Sequence, residues 1–220
     1  MTKAKRRRYY PAQPPQSSRP TRTLILCKPY KVLSSFTDPD GRATLADYIS
    51  VPDVYAAGRL DYDSEGLLLL TSDGNLAHRI THPRYKLTKQ YLVQVEDIPS
   101  AETLAQLEAG VLVKGQMTQP AQIELLSQEP TLFARAEPIR YRQNVPTTWL
   151  KITLREGRKR QVRRMTAAVG FPTLRLVRLA IGPIGLGDLQ PGQWRDLTET
   201  ELQQLRTALK LSPAYNSTRP

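Results

Sequence analysis

Four carboxylates, Asp61, Asp63, Glu65 and Asp73, crowd into the stretch GRLDYDSEGLLLLTSDG at 58–74, beside four consecutive leucines, in a chain of net charge +12. A second stretch, EGRKRQVRRM at 156–165, gathers Arg158, Lys159, Arg160, Arg163 and Arg164. The two segments are opposite in sign and complementary in chemistry. An ionised Asp taken from water needs a close cation, and a planar guanidinium suits that role better than an ammonium. Such a partner also depresses the pKa and keeps the group a carboxylate. The arginines pose the converse problem, because cations crowded at a helix start oppose the macrodipole. Phosphates or a buried carboxylate would relieve that repulsion; a merely solvated basic face is the plain alternative. Asp61, just upstream of the leucine run, is therefore a candidate anion in a cationic site that itself receives an anionic polymer.

Other constellations are weaker. His78 and His82 stand four apart, as on a metalloprotease helix, but Arg79 occupies the place of the required glutamate and no third ligand is evident. IGPIGLG at 181–187 lacks the Lys-Ser/Thr of a phosphate loop and the spacing of a dinucleotide fingerprint, so it reads as a tight turn. Asp61, Asp63 and Glu65 alternate by two, which suits a solvated edge as well as a metal site, and an EF-hand loop would need more oxygen ligands. Cys27 is the sole cysteine, which excludes disulfides within the chain and Cys-rich zinc sites.

The elements that must position these residues can be read in order. TLILCK before Pro29 predicts a strand, and Thr44–Ile49 predicts one or two helical turns. Leu67–Leu70, bounded by Gly66 and Ser72-Asp73-Gly74, predicts a buried strand. A short helix over 75–81 follows, capped by Ser72 or Asp73. Tyr91, Val93 and Val95 alternate along one strand, and Leu150, Ile152 and Leu154 along another. Ser100 caps a helix that Gly110 ends. Arg158–Val169 predicts a helix with Val162 and Met165 inward, 174–181 a strand, and Thr198 with Glu201 a capping box for a last helix. Helices and strands mix without regular alternation, which predicts an α+β fold.

At 220 residues, with 32 Lys and Arg against 20 Asp and Glu, the chain can bury a real core while remaining strongly basic, which points to nucleic acid as partner. No apolar run approaches the ~20 residues that span a bilayer, and no hydrophobic signal core follows the basic N-terminus. Residues 1–20 read as a disordered basic, Pro-rich arm, 21–210 as one folded domain, which the resemblance below implies is catalytic, and 211–220 as a flexible tail. The expected compartment is the cytoplasm, and the expected state a monomer.

Taken together, GRLD at 58–61 extended through DSEGLLLLTSDG, KQYLV at 89–93, EGRKRQVRRM, and LVRLAIGP at 176–183 resemble, in order and spacing, the motifs of the pseudouridine synthases, and within them the RsuA-like branch that modifies bacterial ribosomal RNA. The resemblance covers roughly residues 22–190. It implies an α+β catalytic domain with a mixed, mostly antiparallel sheet in two halves around a central cleft. It also implies isomerisation of uridine to pseudouridine within RNA, with neither cofactor nor metal.

On the same resemblance Asp61 matches the catalytic aspartate, attacking either ribose or base. Tyr91 matches the tyrosine that stacks on the uracil, with a core aromatic as the alternative. Arg163 matches the arginine that pairs with the catalytic carboxylate. Arg59 matches the residue that fills the gap left by the flipped base, with a structural or phosphate-binding arginine as the alternative; flipping is required because a stacked nucleotide cannot enter a pocket. Asp63 and Glu65 are expected to fix the loop. Lys89, Arg158, Lys159, Arg160 and Arg164 are expected to contact RNA.

Two departures stand out. CKPYK at 27–31 replaces the Asn before Lys-Pro and the Gly after it that relatives often carry, and the basic arm is too short for the small RNA-binding domain that many place first. With the GRLDYDSEGLLLL version of the motif, that points to large-subunit (23S) ribosomal RNA as substrate. A non-catalytic RNA-binding or ribosome-assembly protein on the same fold, or a synthase acting on another RNA, are the alternatives.

Overall fold

The computed structural model describes residues 20–135, 137–139 and 145–211. The basic arm and the C-terminal tail, apart from Pro20 and Leu211, lie outside the described residues. The strands are β1 (Thr23–Lys28), β2 (Tyr55–Ala56), β3 (Glu65–Thr71), β4 (Lys89–Glu96), β5 (Leu112–Val113), β6 (Gln116–Met117), β7 (Gln122–Leu125), β8 (Thr147–Leu154), β9 (Thr173–Ile181), β10 (Ile184–Gly185) and β11 (Trp194–Asp196). The helices are α1 (Gly74–Thr81), α2 (Ala101–Ala109), α3 (Gln161–Ala168) and α4 (Glu199–Ala208), with short 3-10 turns at Leu45–Asp47 and Pro83–Tyr85.

Nine strands form one mixed sheet whose main path runs β11-β1-β3-β9-β4-β8-β7. Its ladders are antiparallel apart from β3 with β9, a parallel contact of two pairs, Glu65 with Val177 and Gly66 with Arg178. That brief seam joins two half-sheets, as expected. The approach there is close: Gly66 has φ +96°, and a Cβ on it would lie 2.4 Å from the Arg178 carbonyl oxygen. Only glycine fits the conformation and the space together.

The leucine run is unbroken because β3 is covered on both faces. Leu67 and Leu69 pack with Ile25 and Cys27 under Leu76 and Ile80 of α1 and Leu205 of α4. Leu68 and Leu70 turn the other way, onto Leu24, Leu26, Leu45 and Ile49. In the second half-sheet Val93, Val95, Leu150 and Ile152 pack with Leu107 of α2 and Val162 and Met165 of α3.

The capping signals hold. Asp73 accepts from Asn75 N and Leu76 N, Ser100 accepts from Thr103 N, and the Thr198–Glu201 capping box opens α4. The third helix differs from expectation, for it starts at Gln161 and not at Arg158. Arg160 adopts a left-handed conformation, φ 53°, and the Gln161 side chain accepts from Arg158 N at 2.9 Å. Arg158, Lys159 and Arg160 are thus lifted off the helix onto a turn, where their charges are free to point elsewhere.

Candidate active site

Where the half-sheets meet, a cavity of about 850 Å³ opens, lined by Arg59, Asp61, Lys89, Tyr91, Arg178 and the turn Arg158–Arg160, among others. Its floor is strand-borne, and Asp61 reaches it from the connection into β3.

That connection is held by its backbone. The Ser34 hydroxyl donates to Leu60 O at 2.8 Å and accepts from Leu60 N at 3.1 Å. On the other side of Asp61, Lys31 N donates to Tyr62 O at 2.9 Å, while Ser64 N donates to the Asp61 carbonyl at 3.0 Å. The segment that supplies Lys31 and Ser34 is pinned by Lys28, whose fully buried ammonium donates to Pro29 O at 2.8 Å and Val32 O at 2.7 Å. Burial pushes Lys28 down to about 7, against the pull of Glu65 and Asp63; the charge of Arg178 lowers it further, and Asp61 offsets part. CKPYK is thus a structural brace beneath the acid.

The four acids of the motif separate by partner. Asp73 caps α1 and meets Arg206 at 3.3 Å. Glu65, 1% exposed, is gripped at both oxygens by Arg175 of β9 at 3.1 Å, and Arg175 also donates to Phe133 O. Asp63 takes Arg160 at both oxygens, 2.7 and 2.8 Å, with Arg163 Nε at 3.3 Å. Burial alone would raise the Asp63 carboxyl, yet the Arg160 bonds and the charges of Arg163 and Arg160 hold it below its ordinary value. Asp61 makes no ion pair among the described residues.

The expected Arg163–Asp61 pair is therefore not the one observed. Arg163 donates to the Asp63 main-chain oxygen at 2.6 Å and to Thr173 O at 3.0 Å, so its fork is committed to backbone on either side of α3. Burial lowers its pKa; Asp63 and, more weakly, Asp61 act in the opposite sense, so Asp61 lies within its electrostatic reach. Asp63 fixes the loop as expected, through ion pairs, whereas Glu65 opens β3 and ties it to β9 through Arg175.

The remaining expected residues divide clearly. Arg59 is exposed at the cavity, and Lys89 is half-buried within it. Tyr91, 9% exposed, faces the cavity while packing with Leu60 and Val93, so its ring is held from behind. Arg164, half-buried on α3, stands outside the cavity lining. The rings of His78 and His82 meet tilted at 52°, with centroids 5.0 Å apart, and His82 Nδ1 accepts from Arg84 N. Sequence reading passed over Ser34, Lys28, Arg175 and Arg178. The two arginines carried a signal, being charged positions inside the otherwise apolar run TLRLVRLAI, where a buried charge calls for a partner or a task.

Comparison with known proteins agrees with this geometry. The family model described as RNA pseudouridylate synthase matches residues 22–168. The chain is 58% identical over 176 residues to the ribosomal large subunit pseudouridine synthase E of Vibrio parahaemolyticus, covering 80% of this chain and 74% of that one. It is 56% identical over 174 residues to the protein of the same name from Xanthomonas campestris, covering 78% and 93%. A crystal structure of a pseudouridylate synthase superposes with a TM-score of 0.71 at 32% identity, covering 84% of this chain and 74% of that one.

Proposed function

Since this chain belongs to the RNA pseudouridylate synthase family, we propose that it isomerises a uridine of large-subunit ribosomal RNA to pseudouridine, with Asp61 as the nucleophile. One observation carries the assignment of Asp61. Of the three acids Asp61, Asp63 and Glu65, two are occupied by arginines, while Asp61 is held at the cavity by its neighbours' backbone with no ion pair among the described residues. A carboxylate so placed is anchored through its backbone and available to a substrate in the cavity. The relatives' names support the choice of RNA, because the two described above, at 58% and 56% identity, both carry the large-subunit designation.

In this reading the uridine leaves the helix, and Arg59, exposed at the cavity, occupies the gap. The uracil lies on Tyr91, whose ring the core fixes. Asp61 adds to the nucleoside, the C1′–N1 bond breaks, the base turns, and C1′–C5 forms; the bond to Asp61 is then released, C5 loses its proton and N1 takes one up. Arg163 acts on the site through Asp63. Lys89 and the Arg158–Arg160 turn, with Arg164 outside the cavity, bind RNA phosphates, which makes binding steeply salt-dependent. Residues 21–210 form the catalytic domain, working as a monomer in the cytoplasm, where ribosomal RNA is made.

The test is to incubate the protein with large-subunit rRNA, small-subunit rRNA and tRNA, each lacking the modification, and to map new pseudouridines. One new pseudouridine in the large-subunit rRNA is expected. Modification only of another RNA contradicts the substrate, and none on naked RNA or immature particles favours a binding protein on this fold.

A further inference from the structure

β9 carries two buried arginines, Arg175 and Arg178, 8% and 5% exposed. Arg175 has Glu65. Arg178 has no carboxylate: its Nε donates to Leu67 O at 2.8 Å, its Nη2 is buried without an acceptor, and no ion pair involves it among the described residues. A guanidinium does not lose its charge in a protein. Arg178 is thus a cation drawn almost wholly out of water without a counter-ion, a costly arrangement unless something else supplies the anion.

The backbone aims this side chain at the cavity. Between Gln90 and Tyr91 the β4–β9 register slips by one residue, so that Gln90 faces Ala180, Tyr91 faces Arg178, and Leu179 is extra. Such a bulge re-aims side chains beside a site. Arg178 stands directly across from Tyr91, and both line the cavity. Lys89 lines it too, half-buried, with burial and the charge of Arg178 lowering its pKa and no ion pair to it among the described residues. The neighbouring acids Glu65 and Asp63 are already neutralised by Arg175, Arg160 and Arg163.

Asp61 lines the same cleft but pairs with neither cation among the described residues, so two like charges face it without a bonded counter-ion, and RNA brings a phosphodiester at every nucleotide. We propose that Arg178, with Lys89 beside it, binds a phosphate of the RNA inside the cleft, at the nucleotide that lies over Tyr91. The proposal rests on the reading of this cleft as the uridine-isomerising site.

Single-turnover tritium release from large-subunit rRNA labelled at uridine C5 tests it, with enzyme in excess and salt varied; filter binding to the same RNA is read in parallel. Arg178→Gln should raise the half-saturating enzyme concentration about tenfold, as losing a charged hydrogen bond does. It should also make the salt slope shallower by about 0.7 to 0.9. Arg178→Lys should restore most of the slope. A fall in maximal rate alone, with unchanged half-saturation and slope, places the arginine on the base and overturns the phosphate. A fall in thermal stability alone reduces Arg178 to a pin on Leu67, and no change at all also overturns it. Should Arg178→Gln not fold, Lys89→Gln reads the same phosphate, and an unchanged slope there is equally fatal. If Asp61→Asn releases tritium as wild type does, the reading of Asp61 fails, while the filter-binding slope still decides Arg178.

Discussion

Arg160 holds Asp63 by both carboxylate oxygens, at 2.7 and 2.8 Å, and so leaves Asp61, two residues earlier, as the acid at the cleft without an ion pair among the described residues. The motif arginines thereby support Asp61, the proposed nucleophile, at one remove: they set the loop, and the loop sets the acid.

Asp63→Asn should accordingly lower kcat by about 10- to 100-fold, the scale of an ångström's misplacement, while leaving half-saturation nearly unchanged, because Arg160 and Arg163 remain cationic. The pH dependence of stability supplies a second readout. The folded Asp63 carboxyl lies below its ordinary value of 3.8. Its contribution is complete above that ordinary value and is lost as pH falls through the lower folded one. The gap in melting temperature between wild type and Asp63→Asn should be constant near neutrality and close in acid.

Ser34 meets both the amide and the carbonyl of Leu60. Removing its hydroxyl leaves two buried backbone groups with one partner fewer, a loss of about 1–3 kcal/mol. Ser34→Ala should lower the unfolding free energy by that amount and reduce kcat at least tenfold, with RNA affinity preserved. Chemical denaturation and steady-state kinetics check the two halves separately.

The buried Lys28, pushed down to about 7, is protonated in the unfolded chain up to an ordinary value of 10.5. The unfolded state therefore binds more protons between those values, and stability rises with pH across that interval. Cys27, pushed up to about 12 from 9.0 chiefly by burial, acts in the opposite sense above pH 9. Between pH 7 and 9, then, wild type should gain stability relative to Lys28→Met, by at most about 1.4 kcal/mol per pH unit. A flat difference across that window would mean that Lys28 stays charged in the folded protein throughout.

The elements that could be read from sequence are those written in local signals. Leu67–Leu70 declares a strand covered on two faces, Asp73 and Ser100 declare helix starts, and Thr198 with Glu201 declares a capping box. What escaped depends on partners far along the chain. β7 and β11 are short and partly polar, and they exist because β8 and β1 offer edges. Arg158–Arg160 read as helix because nothing local reveals that Arg160 turns left-handed under Asp63, 97 residues earlier. The family resemblance brought Asp61, Tyr91 and Arg59 together, and all three line the cavity, but type and spacing do not tell which of two alternating acids an arginine grips. Arg163 thus went to Asp63. Nor did they reveal Ser34, a common residue whose role comes from lying against Leu60.

Tritium release from C5-labelled large-subunit rRNA tests most directly whether Asp61 carries the chemistry. Asp61→Asn keeps size and hydrogen bonding and removes the charge. Release by wild type, with none above background from Asp61→Asn that still binds the RNA, is the predicted result. Equal release by both proteins would contradict it and send the search for the nucleophile elsewhere in the cleft.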